Sequence, residues 1–238
     1  MERLAKKIAN SGYTSRRKAE DLIKEGRVKV NDKLVTEMGF KVSDKDKIKI
    51  DDVLLEEEKK VYYLLNKPRG VVSTTEDDKG RKTIISLIDT DIRIFPVGRL
   101  DYDTTGLILL TNDGDLSNIL TKSSNNIEKV YVAKIDGKLF PNEMMLLKKG
   151  VIIDGKKTKR AKVKQKKYDK KSDTSIIEIT ITEGRNHQVK KMFEAVGHEV
   201  LKLKREKLAF LTLDGLASKD YRTLTIKEVK KLYSLDKN

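Results

Sequence analysis

Residues 98–116 read GRLDYDTTGLILLTNDGDL, in which a polar loop runs directly into an apolar segment. The apolar segment, residues 107–110, is typical of a buried strand, and the glycines that flank the loop allow the chain to turn tightly before it. Asp101 and Asp103 lie in this loop beside Arg99. A carboxylate close to a cation keeps a low pKa and is available as a nucleophile or a base. A surface loop whose aspartates only stabilise turns has the same spacing, so both interpretations stay open.

Other apolar segments on both sides of the loop have the pattern of strands. They occupy residues 61–65, 130–135 and 176–181. One segment, residues 189–196, has helical spacing instead, and strands outnumber helices without a regular alternation of the two. This pattern predicts an α+β fold whose larger part is a mixed, mostly antiparallel sheet.

The first 58 residues have the pattern of a separate small unit. Leu4 and Ile8 have helical spacing, and Thr14 or Ser15 can cap a second short helix. Short alternating segments follow, and the acidic residues 56–58 interrupt the apolar pattern before the longer strands begin. The sequence therefore predicts a compact α/β module at residues 1–58 and a larger domain at residues 59–238.

The composition excludes several kinds of site. The chain has no cysteine and two histidines, so disulfides, thiolate nucleophiles, iron–sulfur clusters and histidine-rich metal centres are excluded. No glycine-rich loop of the kinds that bind dinucleotides or nucleoside triphosphates occurs. No apolar run reaches the roughly 20 residues that span a bilayer, and residues 1–7 lack the apolar stretch of a signal peptide. We therefore expect a cytoplasmic protein without a membrane partner.

The charge favours a polyanionic partner. Lys and Arg number 52 and Asp and Glu 37, which gives a net charge of +15. Such a surface attracts phosphate backbones and, less specifically, anionic membranes. The planar guanidinium of arginine suits phosphates and base edges because it bonds to both in a bidentate way. The arginines cluster with other polar residues at 15–18, 67–70, 98–101 and 183–186. Nucleic acid is therefore the expected partner.

A second candidate site is residues 183–193, which read EGRNHQVKKMF. A strand is predicted to end and a helix to begin here, so free backbone N–H groups and basic side chains can face a phosphate. An amphipathic helix with a solvated basic face has the same pattern. His187 by itself is more often a structural residue than a general base, and Tyr131 on its alternating strand is by default a core aromatic.

Three of these segments together resemble the RsuA/RluB family of ribosomal RNA pseudouridine synthases, with details closest to the RluB type. They are residues 98–116, residues 66–74 (NKPRGVVST) and residues 183–193. The N-terminal module, with SRRKAE at 15–20 and GRVKVN at 26–31, is similar to the alpha-L RNA-binding domain that this family carries. The resemblance covers nearly the whole chain, and its motifs occur in the expected order.

The resemblance implies an isomerase that converts uridine in RNA to pseudouridine without a cofactor or a metal. Asp101 matches the family's catalytic aspartate, which acts as a nucleophile or a general base. Tyr131 matches the tyrosine that stacks on the flipped target base. Lys190 occupies the position at which related enzymes usually have an arginine beside the aspartate, and Arg185 is the alternative partner.

Further residues are implied to bind the substrate. Leu201 matches the apolar residue that packs beneath the base. In the larger domain the expected contacts are Lys67, Arg69, Arg99, Arg185, Asn186, His187 and Gln188. In the N-terminal module Arg16, Arg17, Lys18 and Arg27 are expected to contact phosphates, which positions the RNA without reading its sequence.

The expected partner is ribosomal RNA or a pre-ribosomal particle, with no obligate protein partner. The alternative is a non-catalytic RNA-binding or ribosome-assembly protein that retains the fold, which a lysine at position 190 favours. An RNA methyltransferase with the same N-terminal module is disfavoured because no glycine-rich cofactor loop occurs.

Overall fold

The computed structural model of the chain describes residues 1–236. Two compact units form from segments that alternate along the chain. The first comprises Met1–Val61, Thr90–Ile94 and Asn112–Gly114, and the second comprises the other described residues. Residues 237 and 238, the last two of the predicted larger domain, lie outside the described residues. Among the described residues, no helix is both long and apolar enough to cross a lipid bilayer.

The first unit contains two short helices, a four-stranded sheet and a separate pair of strands. The helices are α1 (Leu4–Asn10) and α2 (Arg16–Lys24), and the strands are β1 (Glu2–Arg3), β2 (Val28–Val30), β3 (Lys33–Leu34), β4 (Lys41–Val42), β5 (Ile48–Ile50) and β6 (Val53–Leu54). The sheet order is β3-β2-β5-β6, and β1 pairs with β4. Helix α2 begins after Ser15, whose hydroxyl oxygen accepts a hydrogen bond from the Lys18 N–H. Apolar side chains of both helices and of the strands form this unit's own core.

The second unit contains longer strands and four further helices. The strands are β7 (Tyr62–Lys67), β8 (Phe95–Pro96), β9 (Thr105–Thr111), β10 (Lys129–Asp136), β11 (Ile152–Ile153), β12 (Lys156–Lys157), β13 (Lys162–Asp169), β14 (Thr174–Ile181), β15 (Val200–Leu208), β16 (Leu211–Thr212) and β17 (Tyr221–Thr223). The helices are α3 (Gly114–Thr121), α4 (Pro141–Lys149), α5 (Gln188–Glu194) and α6 (Ile226–Tyr233), with short 3₁₀ helices at Ile85–Leu87 and Ser123–Asn125.

Nine strands of this unit form one mixed sheet. Seven of them lie in the order β13-β14-β10-β15-β9-β7-β17, while β16 pairs with β15 and β8 pairs with β9. Among the described strands of this sheet, the pairing of β9 with β15 is parallel and the other pairings are antiparallel. The prediction of an α+β fold with a mixed, mostly antiparallel sheet is therefore confirmed.

Strand β9 holds the position of the loop that carries Asp101. All residues of β9 after the first are buried, as the continuous apolar run predicts. Leu107 and Leu109 pack in a core with residues of neighbouring strands. Because the loop leads directly into β9, its end is anchored by a strand that is buried almost throughout.

Gly106 is required by the close approach of β9 to β15. Its φ is +106°, and a Cβ atom at this position would lie 2.2 Å from the backbone oxygen of Arg205. We expect Gly106→Ala to lower the free energy of unfolding by about 3 kcal/mol or more, because a backbone clash is added to a strained conformation. Gly155→Ala is the control, since Gly155 also has a positive φ, +73°, but no atom lies within 4 Å of the added carbon. Urea unfolding of both variants tests this, and equal losses would contradict the role of the clash.

Candidate active site

The loop that carries Asp101 is hydrogen-bonded to the segment that follows β7. The Ser73 hydroxyl donates to the Leu100 carbonyl over 2.7 Å, and the Gly70 N–H donates to the Tyr102 carbonyl over 2.9 Å. Within the loop, the Thr104 N–H donates to the Asp101 carbonyl over 3.1 Å. Hydrogen bonds therefore join two of the motifs that the sequence suggested, residues 66–74 and residues 98–116.

Lys67 is fully buried beneath this loop. Its ammonium donates to the carbonyl oxygens of Thr104 at 2.8 Å, Asp101 at 3.0 Å and Pro68 at 3.1 Å. Burial lowers the pKa of Lys67 to about 8, although the negative charges of Asp101 and Asp103 oppose this shift. The charged end of Lys67 faces backbone carbonyls inside the protein, and its contact with the substrate stays a prediction. The ammonium positions the loop.

The Asp101 carboxylate is partly exposed and lies beside two basic side chains. His187 Nε2 is 3.6 Å from Asp101 Oδ1, and Lys190 Nζ is 3.7 Å from Asp101 Oδ2. Lys190 also donates to both carboxylate oxygens of Asp103, at 2.7 and 2.8 Å. Burial by itself would raise the pKa of Asp103, but the hydrogen bonds and charge of Lys190 outweigh it, and the pKa lies below its usual value. Lys190 thus lies between two carboxylates.

Arg185 does not pair with Asp101. Its guanidinium donates to the carbonyl oxygens of Lys156 at 2.9 Å and Lys157 at 2.7 Å, and it lies 3.4 Å from a carboxylate oxygen of Glu183. Of the two candidate partners, the structure therefore places Lys190 beside the aspartate. Arg185 instead ties the segment before α5 to β12.

The segment before α5 is ordered by Gln188. The Gln188 amide donates to Glu183 over 2.8 Å and accepts a hydrogen bond from the Arg185 N–H over 2.9 Å. Because both ends of this buried amide are engaged within the segment, Gln188 holds the segment in place, and its contact with the substrate stays a prediction. His187 has a positive φ of 53° and a half-exposed side chain, and Asn186 is exposed.

A cavity of about 550 Å³ opens beside the aspartate. Of the residues predicted to form the site, Asp101, Tyr131, Arg99, Arg185, Asn186, His187 and Gln188 line it. Tyr131, in the middle of β10, is 8% exposed, so its ring forms part of the wall of the cavity. Lys190 is not among the lining residues, but its ammonium lies beside Asp101, which lines the cavity, and beside Asp103. Arg69 is exposed and does not line the cavity either.

Leu201 is not among the residues that line this cavity, and its place beneath the base stays a prediction. It is 40% exposed and has no partner in the pairing of β10 with β15, where Lys134 and Ile135 oppose Lys202 and Val200. Such an extra residue forms a β-bulge, which the sequence does not reveal. Leu203, by contrast, is buried and lines the cavity.

Three cations that sequence reasoning missed also line the cavity, Arg81, Lys129 and Arg205, of which Arg81 is paired with Asp77 at 2.6 Å. Lys129 lies two residues before Tyr131 on β10, and Arg205 lies directly opposite Tyr131 on β15. The sequence offered one sign that Arg205 is special, because it is the single arginine in β15, whose other basic residues are lysines.

In the first unit, the predicted phosphate contacts differ in their ion pairs, and Arg16 lies 3.9 Å from a carboxylate oxygen of Glu20. Arg16, Arg17 and Lys18 are exposed in the first turn of α2. Arg27 is also exposed, but its guanidinium donates to the Asp51 carboxylate over 2.9 Å and lies 3.3 Å from Glu25. The expected phosphate contact of Arg27 therefore has to compete with two carboxylates.

Comparisons with known proteins agree with this arrangement. A model of the RNA pseudouridylate synthase family matches residues 61–195, and a model of the S4 domain matches residues 2–48. The ribosomal large subunit pseudouridine synthase B of Bacillus subtilis (strain 168) is 54% identical over 237 residues, which cover 99% of this chain and 97% of that protein. The dual-specificity RNA pseudouridine synthase RluF of Escherichia coli (strain K12) is 38% identical over 99% of this chain and 80% of its own length.

A solved structure shows the same fold. A crystal structure of a pseudouridylate synthase superimposes with a TM-score of 0.69 at 34% identity, covering 98% of this chain and 100% of the other. The resemblance to these enzymes that the motifs indicate is therefore confirmed along the whole chain, from the N-terminal S4 region to the sheet with its aspartate loop. The chain belongs to the RNA pseudouridine synthase family.

Proposed function

We propose that this pseudouridine synthase acts on ribosomal RNA, specifically that of the large subunit, with Asp101 as its catalytic carboxylate. The observation that carries this proposal is the position of Asp101 at the edge of a cavity whose wall contains Tyr131. The cavity volume of about 550 Å³ lies within the usual range for a small-molecule site, as one flipped nucleotide requires. The Bacillus subtilis relative, which is named for the large ribosomal subunit, supports the choice of substrate.

The geometry suggests how the reaction proceeds. A uridine cannot react at its glycosidic bond inside a stacked helix, so it must turn out into the cavity, where stacking on Tyr131 offsets part of the cost. The Asp101 carboxylate then acts at the ribose, either as a nucleophile or as a base. Lys190, held by Asp103 at 2.7 Å, places its ammonium 3.7 Å from a carboxylate oxygen of Asp101.

The N-terminal module, which we place at residues 1–58, is proposed to hold the RNA while the domain from residue 59 onward reacts. Two binding surfaces on one chain raise the effective concentration of the second once the first is bound. Folded ribosomal RNA or a pre-ribosomal particle is the proposed partner, in the cytoplasm.

The salt dependence of RNA binding tests the module. Replacing Arg16 and Arg17 together by alanine is expected to reduce the slope of log affinity against log salt by about 1 to 2, since each arginine neutralises one phosphate. Arg27→Ala is the control, because its charge is already held by Asp51 and Glu25 and should contribute less. Filter binding across a range of salt concentrations measures the slopes. An unchanged slope for the double variant would contradict the proposed contact.

Tritium release tests the activity itself. The protein is incubated with ribosomal RNA labelled at carbon 5 of uridine, both as free RNA and as pre-ribosomal particles, and the released label is measured. Release is expected from large-subunit RNA, and mapping of pseudouridines in cells with and without the gene then identifies the position. No release from any RNA or particle would contradict the enzymatic proposal and favour a non-catalytic role in ribosome assembly.

A further inference from the structure

Arg205 is a buried cation whose charge is incompletely matched. It is 3% exposed, and its Nε donates to the Leu107 carbonyl over 2.6 Å. Its Nη2 is buried and is the one buried side-chain nitrogen or oxygen in residues 1–236 that has no hydrogen-bond partner. Leaving a buried charged donor unpaired is costly, so such a group in a cavity wall indicates an acceptor that arrives with a ligand.

The backbone around Arg205 is shaped to bring this side chain to the cavity. Arg205 opposes Tyr131, whereas Lys207 opposes Val130, so Glu206 is the extra residue of a β-bulge. Bulges next to active sites redirect side chains. On its other side Arg205 pairs with Gly106, and the absence of a side chain there lets β9 approach closely.

Lys129 supplies a second cation in the same wall. Lys129 and Tyr131 are two residues apart on β10 and therefore lie on one face of the sheet. Burial, followed by repulsion from Arg205 and Lys159, lowers the pKa of Lys129 to about 8, while Glu183 opposes the shift. The Glu183 carboxylate also lies 3.4 Å from the Arg185 guanidinium, so its negative charge is shared with a third cation.

The surroundings of these cations are largely apolar. Leu203, Leu208, Ile181 and Val97 line the same cavity. A positive potential inside an apolar wall, next to a ring on which a base can stack, fits a planar heterocycle that carries negative charge. A neutral uracil has no such charge until its bond to the ribose breaks.

We propose that Arg205 and Lys129 bind the carbonyl oxygens of the flipped uracil and stabilise the negative charge that the ring acquires when its C1′–N1 bond breaks. This proposal rests on the proposed function and assigns the two cations to its first step. Donors placed in advance where charge develops lower the barrier without reorganising during the reaction.

Cleavage of the C1′–N1 bond and formation of the C1′–C5 bond balance in electrons and protons. The C1′–N1 bonding pair leaves with uracil, whose charge is then shared among N1, O2 and O4. The electron-poor C1′ is met by Asp101, which either bonds to it or removes the proton from C2′. After the ring turns, C5 gives an electron pair to C1′, and Asp101 is released or returns the proton to C2′. The C5 proton then leaves, and N1 takes up a proton from water.

Kinetics of three variants test the assignment. Arg205→Gln and Lys129→Met are each expected to lower kcat by about 10²-fold with KM within about three-fold, because the charge exists in the transition state and not in the bound ground state. Arg205→Lys is expected to recover part of the loss. Thermal unfolding of each variant shows whether it is folded. An unchanged kcat in folded Arg205→Gln and Lys129→Met would overturn the proposal, as would a loss confined to KM.

A binding measurement that needs no turnover separates this proposal from the proposed function. 5-Nitrouracil is an anion at neutral pH, whereas uracil is neutral, and their dissociation constants are compared by ligand-observed NMR. The wild-type protein is expected to prefer the anion by about ten-fold or more, and Lys129→Met and Arg205→Gln to lose that preference. No preference in the wild type overturns the proposal. A preference in a protein that releases no tritium from any RNA upholds the anion site and contradicts the proposed function instead.

Discussion

Replacement of Asp101 by Asn is expected to abolish pseudouridine formation while RNA affinity stays within about three-fold. The amide can neither bond to C1′ nor accept a proton, so turnover should fall by about 10⁴-fold or more. The contacts of the Asp101 carboxylate are long, at 3.5 Å with the Thr104 hydroxyl, 3.6 Å with His187 and 3.7 Å with Lys190. The loop is held through the backbone carbonyl of Asp101 instead. Single-turnover tritium release and filter binding on the same preparation measure the two quantities.

Asp103→Asn is the matched control for this variant. It removes the same charge two residues away and releases Lys190 from its shorter ion pair, with Lys190 still near Asp101. We expect a loss of about ten-fold or less, because the reacting carboxylate remains. If Asp103→Asn were as inactive as Asp101→Asn, the assignment of Asp101 as the reacting group would have no support from this pair.

Lys67→Met is expected to be the most destabilising substitution of a charged residue near the site. It leaves the carbonyl oxygens of Thr104, Asp101 and Pro68 without their buried donor, at a cost of about 2–4 kcal/mol in the free energy of unfolding. Urea unfolding, followed by circular dichroism, measures this loss. Activity should fall as well, since the loop that carries Asp101 loses its support.

The control for Lys67 is Arg69→Met, two residues further along the same motif. Arg69 is exposed, so the same replacement should change the free energy of unfolding by less than about 0.5 kcal/mol. A Lys67→Met protein as stable as the Arg69→Met protein would show that the buried ammonium does not hold the loop.

The sequence predicted the features that depend on local pattern. The apolar run at 107–110 indicated a buried strand, and the polar loop before it indicated the position of Asp101. The features that the sequence did not predict depend on contacts between distant segments. A lysine whose ammonium is buried under a loop looks like any surface lysine in a sequence, so the support that Lys67 gives the loop could not be predicted.

The two bulges of β15 explain the remaining differences. Strand periodicity alone gives no sign of an extra residue, so the sequence does not show that Leu203 lines the cavity while Leu201, which the resemblance indicates, does not. Arg205 was missed for the same reason, since its importance depends on which residue of β10 lies opposite it. Register is fixed by contacts between distant segments, and a single sequence does not show them.

The one parallel pairing of the large sheet has a consequence for how the enzyme forms. Thr105 pairs with Lys204, so two segments 99 residues apart in the sequence meet beside the candidate active site. Contacts between such distant segments form slowly, because the intervening chain loses entropy before the contact stabilises anything. A nascent chain that ends before β15 therefore contains Asp101 but lacks the strand that pairs with β9. The enzyme becomes active only in the last stage of synthesis and folding.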